Sequence, residues 1–270
     1  MSSTWEQSAW IYNFINPSET KRSTFYYLDN INNSTKTIVR DKDFCQWFVG
    51  IVDGDGSFNK KDKYNFTFKV SQSIYNLRLL YFIKSKVGVG SVSITKNNCA
   101  EYSIRNINHI IENIFPIFDN YPLLTNKYHS YIKFKESIKI YVSDINEEEK
   151  LSKINSINFT EKESISLAWN IINNNVDDPK NVSKVISKNW LVGFTETEGS
   201  FYISNIMHFF EITRKNDDIV IKAICKILPI SFEKKGNYCT LITSDKNSIE
   251  FIVNYFFKTI KGMKSLEYRI

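Results

Sequence analysis

Two stretches of the chain repeat one pattern of bulky apolar residues, glycine and acids. Residues 47–58 read WFVGIVDGDGSF, and residues 190–201 read WLVGFTETEGSF. The similarity continues past them, because FTFKVSQS at residues 66–73 aligns with HFFEITRK at residues 208–215. A long internal repeat fixes the architecture before any single motif does. The sequence therefore predicts two related half-domains.

Periodicity predicts the elements of each half. Apolar residues over positions 44–52 fall at helical spacing, and residues 64–72 alternate between apolar and polar side chains, as a half-buried strand does. The other predicted elements of the first half are a helix over 77–86, a hairpin turning at Asn97-Asn98, and helices over 107–114 and 127–141. The prediction is an α/β (mixed α+β) fold of two pseudo-symmetric αββαββα halves, packed through the repeated helices.

A polar, Asn-rich segment that contains Pro179 separates the two copies of the pattern. It predicts a connector with some helix around 164–172. The expected division is an N-terminal extension at 1–40, a first half-domain at 41–145, a linker at 146–183 and a second half-domain at 184–270.

Composition narrows the class of protein. The 270 residues are 42% hydrophobic, yet no apolar run approaches the roughly 18 residues that a membrane helix needs. The N-terminus lacks a secretory pattern, and the four cysteines show no C-x-x-C spacing. We expect an intracellular protein that has no membrane segment. The net charge of +6 suits a polyanionic partner, and abundant Asn, Ile, Lys, Tyr and Phe indicate an A/T-rich, organellar gene.

The repeated pattern carries two unfavourable features that need an explanation. Gly50 and Gly193 lie inside the predicted helices, where glycine costs about 1 kcal/mol relative to alanine. Close approach of the two helices through these glycines would recover that cost. Each helix also ends in two acids, although carboxylates are disfavoured at helix C-termini. Divalent cations would relieve the repulsion, since hard oxygen ligands suit Mg²⁺, and two such acids favour phosphodiester hydrolysis.

These residues resemble the paired signatures of the LAGLIDADG homing endonucleases, in their single-chain, two-motif form. Residues 48–56 and 191–199 occupy the signature positions, and the resemblance extends from Phe44 to the C-terminus through YPLLTNK at 121–127 and KGMKSLEYRI at 261–270. It implies an intron-encoded, monomeric enzyme, and the A/T-rich composition favours a mitochondrial source. Its expected activity is Mg²⁺- or Mn²⁺-dependent cleavage of double-stranded DNA at a long, non-palindromic site, with short 3′ overhangs.

The resemblance also implies roles for individual residues. The metal-binding acids fall on Asp55 and Glu198, with Gly54 and Thr197 beside them in the metal site. Further catalytic positions fall on Gln72, Lys127 and Lys264, and Arg214 is the counterpart of Gln72. Asp53 and Glu196 are expected to support the helix ends rather than to bind metal. The second copy departs from the common pattern, because Glu replaces Asp at both acidic positions.

The strands are expected to form two sheets that lie over DNA as a saddle, since a two-stranded ribbon fits the major groove. The candidate base-reading residues are Lys69, Gln72, Tyr202, Ser204 and Glu211. Arg214 is a further candidate DNA contact. The candidate phosphate contacts at hairpin ends are Lys60, Lys61, Lys63, Lys96, Lys234 and Lys235.

Two alternatives keep the fold and change the activity. One is a maturase that binds its cognate intron RNA and assists splicing, with cleavage lost or secondary. The other is a regulator that binds DNA without cutting it. Intact acids in both motifs favour cleavage over either alternative. The resemblance further implies that the final helix would continue beyond Ile270.

Overall fold

The computed structural model describes residues 41–62, 64–157 and 165–269. The predicted extension at 1–40 and the candidate DNA contact Lys63 lie outside the described residues. Within the described part of the chain, every helix is too short or too polar to span a bilayer.

The first half follows the predicted order of elements with one helix added, Phe115–Asn120, between the two predicted helices that end this half. Its elements are α1 (Lys42–Asp55), β1 (Gly56–Lys61), β2 (Asn65–Ser73), α2 (Leu77–Val87), β3 (Ser91–Ile94), β4 (Cys99–Ile104), α3 (Ile107–Asn113), α4 (Phe115–Asn120) and α5 (Lys127–Val142). Gly88 ends α2 in the left-handed region with φ of 85°, where glycine carries no steric penalty. Asn97 and Asn98 turn the second hairpin with φ of 64° and 55°, as the sequence predicts.

The described parts of the connector between the halves, residues 146–157 and 165–183, contain regular structure. The elements are α6 (Glu147–Ser156), a 3₁₀ turn at Leu167–Ile172 and α7 (Pro179–Val185). The Trp169 side chain is fully buried, and its Nε1 donates to the carbonyl of Leu124 at 2.9 Å. Pro179 begins a helix rather than breaking one, because Asp178 caps α7 by accepting from the backbone N–H of Lys180. The connector therefore packs onto the loop that precedes α5.

The second half repeats the order of the first. Its elements are α8 (Lys188–Glu198), β5 (Gly199–Ser204), β6 (Met207–Lys215), α9 (Asp218–Ile224), β7 (Phe232–Lys235), β8 (Tyr238–Thr243), α10 (Lys246–Phe256) and α11 (Lys264–Glu267). The two four-stranded antiparallel sheets have equivalent orders, β1-β2-β4-β3 and β5-β6-β8-β7. Their registers agree too, since Gly56 pairs with Val70 as Gly199 pairs with Ile212. The expected α/β fold of two pseudo-symmetric halves is confirmed.

The halves meet where α1 crosses α8 through the two predicted glycines. A Cβ built on Gly50 would lie 2.1 Å from the carbonyl oxygen of Trp190, and one on Gly193 would lie 2.0 Å from that of Trp47. Both distances are far inside van der Waals contact, so only glycine fits at either position. The packing between the helices offsets the free-energy cost of placing glycine inside a helix.

Candidate active site

The C-terminal ends of α1 and α8 come together where each helix passes directly into the first strand of its sheet. Gly54 packs directly on the other helix end: a Cβ at Gly54 would lie 1.9 Å from Thr197 Oγ1 and 3.3 Å from Glu198 Oε1. Asp55 and Glu198, the last residues of their helices, therefore face the same space. Burial raises the pKa of Asp55 to about 6, and the negative charge of Glu198 adds to the rise.

Each acid is held by a donor from the second strand of its own half. Gln72 Nε2 donates to Asp55 Oδ2 at 2.5 Å, and Arg214 NH1 donates to Glu198 Oε1 at 2.7 Å. Gln72 and Arg214 were also expected to contact DNA. The structure places both beside the acids, because they share the inward-facing parity of the buried Val70 and Ile212. The two centres therefore differ in charge, with a neutral amide in one and a guanidinium in the other.

Lys127 joins this cluster, whereas Lys264 does not make the equivalent contact. Lys127 Nζ donates to the carbonyl oxygens of Val52, at 3.3 Å, and of Gly54. Burial lowers the pKa of Lys127, and the positive charge of Arg214 lowers it further. Lys264 instead lies with its Nζ 3.4 Å from Glu267 Oε2, within the short helix α11. The two halves therefore differ in the contacts that these two lysines make.

The other acid of the first motif has a structural role. Asp53 is fully buried and accepts hydrogen bonds from Leu124 N, Thr125 N, Thr125 Oγ1 and Trp190 Nε1 at 2.7–3.0 Å. Burial raises the pKa of Asp53, and these hydrogen bonds oppose the rise. The bond from Trp190 crosses from one half to the other. Asp53 therefore fixes the loop before α5 and the contact between the motif helices.

Glu196 does the same in the second half. It is 1% exposed and accepts from the backbone N–H groups of Lys261 and Gly262, the latter at 2.9 Å. Burial raises the pKa of Glu196 and these backbone donors oppose the rise. Asp53 and Glu196 thus lie in the supporting positions expected for them.

The set of potential metal ligands is small and consists of hard oxygens. Among the described residues, no group of three or more His, Cys, Asp and Glu side chains could hold a metal ion. The pair formed by Asp55 and Glu198 would leave most coordination positions to water and phosphate. The carbonyl of Gly54 accepts from Lys127, and Thr197 Oγ1 donates to the carbonyl of Phe194 at 2.8 Å.

The remaining predicted residues lie on the exposed sheet faces and hairpin ends. Lys69 Nζ pairs with Glu101 Oε2 at 2.7 Å, and Tyr202 Oη donates to Glu211 Oε2 at 3.1 Å. The predicted DNA contacts that are exposed at strand and hairpin ends in the described part of the chain are Lys60, Lys61, Lys96, Ser204, Lys234 and Lys235. Within that group, Lys234 pairs with Asp218, and Lys235 lies 3.4 Å from Glu233.

Sequence reasoning missed Asn76 and Asp217, which lie behind Gln72 and Arg214. Both are buried polar residues that follow the second strand of their half. The available signal was a polar residue at the start of the helix that follows the second strand in each copy. Such residues are normally interpreted as helix N-caps, yet neither side chain caps its helix here.

Comparison with known proteins identifies the family. The family model described as LAGLIDADG endonuclease matches residues 48–138. A probable intron-encoded endonuclease of Schizosaccharomyces pombe, Cox1-I1b, is 38% identical over 251 residues, which cover 84% of this chain and 62% of that protein. The chain belongs to the LAGLIDADG family. An uncharacterized mitochondrial protein of Saccharomyces cerevisiae, RF1, is 31% identical over 207 residues, covering 73% of this chain and 40% of that protein.

Solved LAGLIDADG structures share the fold. I-SmaMI bound to an uncleaved DNA target in the presence of calcium ions superposes with a TM-score of 0.65 at 25% identity, covering 83% of this chain and 88% of that one. The meganuclease I-AabMI bound to uncleaved DNA gives 0.69 at 19% identity, covering 83% and 87%. The chain spans between two fifths and two thirds of the length of the two curated relatives described above.

Proposed function

We propose that this LAGLIDADG protein is a homing endonuclease that cleaves double-stranded DNA at a long, non-palindromic site. The observation that carries the proposal is the meeting of Asp55 and Glu198 at the ends of two crossing helices, where each helix passes directly into the first strand of its sheet. Solved neighbours of the same fold are described as bound to uncleaved and to cleaved DNA, which supports DNA as the partner.

A divalent cation, Mg²⁺ or Mn²⁺, fits between the two acids. Both side chains offer hard oxygens. Burial raises the pKa of Asp55, and the negative charge of Glu198 raises it further because the two carboxylates repel. Bound there, the ion would supply Lewis-acid chemistry suited to phosphodiester hydrolysis. Asp55 and Glu198 would hold it, while Gln72 and Arg214 fix the direction in which each carboxylate points.

Two cations of the protein itself lie beside the acids. Lys127 and Arg214 both interact electrostatically with Asp55 and Glu198. Positive groups that are already in place where negative charge develops stabilise a transition state without reorganisation. We assign to these residues the neutralisation of charge on the scissile phosphate. Lys127 is held for this role by the carbonyl oxygens at the end of α1.

The sheet faces would supply DNA recognition. Lys69 and Tyr202 lie on the outward face of β2 and β5, while the lysines at the hairpin ends suit phosphate contacts. The two faces carry different side chains, so their combined site would not be palindromic. We infer a monomer, since one chain supplies both halves. Relatives described as intron-encoded or mitochondrial support a mitochondrial, intron-encoded origin.

A selection from randomised DNA tests the proposal. The protein would be incubated with a library of double-stranded sites in Mg²⁺, and the cleaved ends would be sequenced to read the site and the overhang. We expect one long site with short 3′ overhangs. Asp55→Asn and Glu198→Gln should each lower cleavage at least about 100-fold. Glu136→Gln is the matched control, because the side chain of Glu136 is 44% exposed on α5, where it pairs with Lys139.

The outcomes separate the candidate activities. Normal cleavage by both acid variants would overturn the catalytic assignment. A wild-type protein that cuts no member of the library, yet binds its intron RNA tightly in a filter assay, would instead be a maturase.

A further inference from the structure

Two buried polar residues stand one step behind the donors that hold the acids. Asn76, which precedes α2, and Asp217, which precedes α9, are only 6% and 2% exposed. Buried polar groups cost free energy unless they are hydrogen-bonded, so the partners of these two residues show what holds them in place.

In the first half, hydrogen bonds run from the acid to the other half-domain. Gln72 donates to Asp55, and Gln72 Oε1 accepts from Asn76 Nδ2 at 2.6 Å. Asn76 Oδ1 in turn accepts from the backbone N–H of Met263 at 3.1 Å. Met263 belongs to the second half and follows the loop that Glu196 fixes through Gly262.

The second half has the reciprocal arrangement. Arg214 donates to Glu198, and its Nε and NH2 donate to Asp217 Oδ2 at 3.2 and 2.9 Å. Asp217 Oδ1 accepts from the backbone N–H of Asn126 at 2.9 Å. Asn126 belongs to the first half and follows the loop that Asp53 fixes. Each acid is thus connected, through two side chains, to a backbone N–H of the opposite half.

The chemistry of these groups gives each chain of hydrogen bonds one direction. A backbone N–H can only donate, so Asn76 must turn its oxygen towards Met263 and its NH₂ towards Gln72. Gln72 must then accept on Oε1, which leaves its NH₂ as the donor to Asp55. In the other half, a carboxylate at Asp217 accepts only and holds the guanidinium of Arg214 with NH1 towards Glu198.

We propose that Asn76 and Asp217 are positioning residues: each orients the donor to its own half's acid and is itself fixed by the opposite half. Each acid is therefore in its working orientation only when the two halves are docked. The inference rests on the proposed function for its catalytic meaning. We call the hydrogen bonds that run from each acid, through two side chains, to the opposite half the relay. The relay does not depend on cleavage.

Asn76→Asp tests the relay, because orientation and simple charge predict opposite results. The carboxylate introduced at position 76 can only accept, so Gln72 should turn its NH₂ towards it and its oxygen towards Asp55. We expect Ca²⁺ binding without DNA, measured by calorimetry, to weaken about tenfold, as loss of an outer-shell partner does. Added negative charge alone would strengthen Ca²⁺ binding. Asn247→Asp, at an exposed position in α10, is the matched charge control.

Gln72→Met/Asn76→Asp completes this experiment. Methionine cannot flip to present an acceptor, so the weakening specific to Asn76→Asp should disappear relative to Gln72→Met alone. Asn76→Ala, which adds no charge, should weaken binding less than Asn76→Asp and covers the case in which the charged variant does not fold. Ca²⁺ binding by Asn76→Asp that equals or exceeds that of the wild type overturns the proposal.

A double-mutant cycle in EDTA tests the relay without metal. Asn76→Asp should destabilise the wild type in urea unfolding. In an Asp55→Asn background, the amide introduced at position 55 can donate to the turned oxygen of Gln72, so the cost should fall. We expect positions 55 and 76 to be coupled by at least about tenfold in the unfolding equilibrium constant. The coupling should vanish in a Gln72→Met background. Coupling that persists in that background indicates through-space repulsion and overturns the relay.

The two measurements separate the relay from the proposed function. If the wild type binds Ca²⁺ no more tightly than Asp55→Asn, the metal site fails, and the cycle still decides the relay. If the wild type binds more tightly than Asp55→Asn and Asn76→Asp is unchanged, the relay fails and the metal site stands.

Discussion

Gly50 lies so close to the backbone of Trp190 that a Cβ would come within 2.1 Å of its carbonyl oxygen. Gly193 has the same relationship to Trp47. The approach of the helices brings Asp55 and Glu198 together, since each acid ends the helix that carries its glycine. The geometry of the candidate active site is therefore a direct consequence of helix packing.

Gly50→Ala should destabilise the protein by about 3 kcal/mol, because the added methyl group meets backbone atoms that cannot move independently. Urea unfolding would measure the change. Gly88→Ala is the control, since Gly88 has φ of 85° but open space around its Cβ position. It should cost about 1 kcal/mol from backbone strain alone. Equal losses in the two variants would contradict the packing argument.

Trp190 and Trp47 provide a matched pair for measuring one cross-half hydrogen bond. Trp190 Nε1 donates to Asp53 at 2.8 Å, whereas Trp47 Nε1 is buried and finds no hydrogen-bond partner in the described part of the chain. Replacement by Phe removes a similar volume at each place. Trp190→Phe should therefore destabilise the protein by about 1–2 kcal/mol more than Trp47→Phe does. Equal unfolding midpoints for the two variants would show that the bond contributes nothing.

The sequence predicted the architecture because the repeat, its glycines and its strand alternation are local patterns. It also predicted supporting contacts for Asp53 and Glu196, and those contacts are present. Metal binding by Asp55 and Glu198 stays a prediction. It could not show that α4 begins with Phe115-Pro116, since proline at the start of a helix resembles a break. Nor could it reveal Asn76 and Asp217, because their partners lie 187 and 91 residues away in sequence.

The pKa of Asp55 predicts an unusual pH dependence of stability without metal. The folded protein holds this proton up to about pH 6, above the ordinary value of 3.8. The native state thus binds more protons than the unfolded state between these values, so its stability falls as pH rises through that window and levels off above it. Asp55→Asn should not show this fall in stability, because asparagine has no carboxyl group to titrate.

Thermal melts of wild type and Asp55→Asn in EDTA, from pH 4 to pH 7, would measure this effect. The free energy of unfolding of Asp55→Asn, relative to that of the wild type, should rise by on the order of 2 kcal/mol from pH 4 to pH 7. Adding Ca²⁺ at pH 7 should raise the melting temperature of the wild type and leave that of the variant nearly unchanged. A difference that is constant from pH 4 to pH 7 would show that Asp55 titrates normally.

Lys127 and Lys264 occupy equivalent places in the two halves but make different contacts, so their variants should differ. Lys127→Met keeps the length of the side chain and removes the charge beside Asp55 and Glu198, as well as the donor to Gly54. Cleavage of the selected site should fall about 100-fold. Lys264 forms its ion pair with Glu267 of its own helix, so Lys264→Met should reduce cleavage less than about fivefold.

Lys133→Met, at an exposed position in α5, controls for the loss of one positive charge in this comparison. It should leave cleavage close to that of the wild type, because an exposed lysine is screened by solvent and salt. Equal losses for Lys127→Met and Lys264→Met would mean that the second lysine reaches the phosphate once DNA is bound. The asymmetry of the two centres would then belong to the free protein alone.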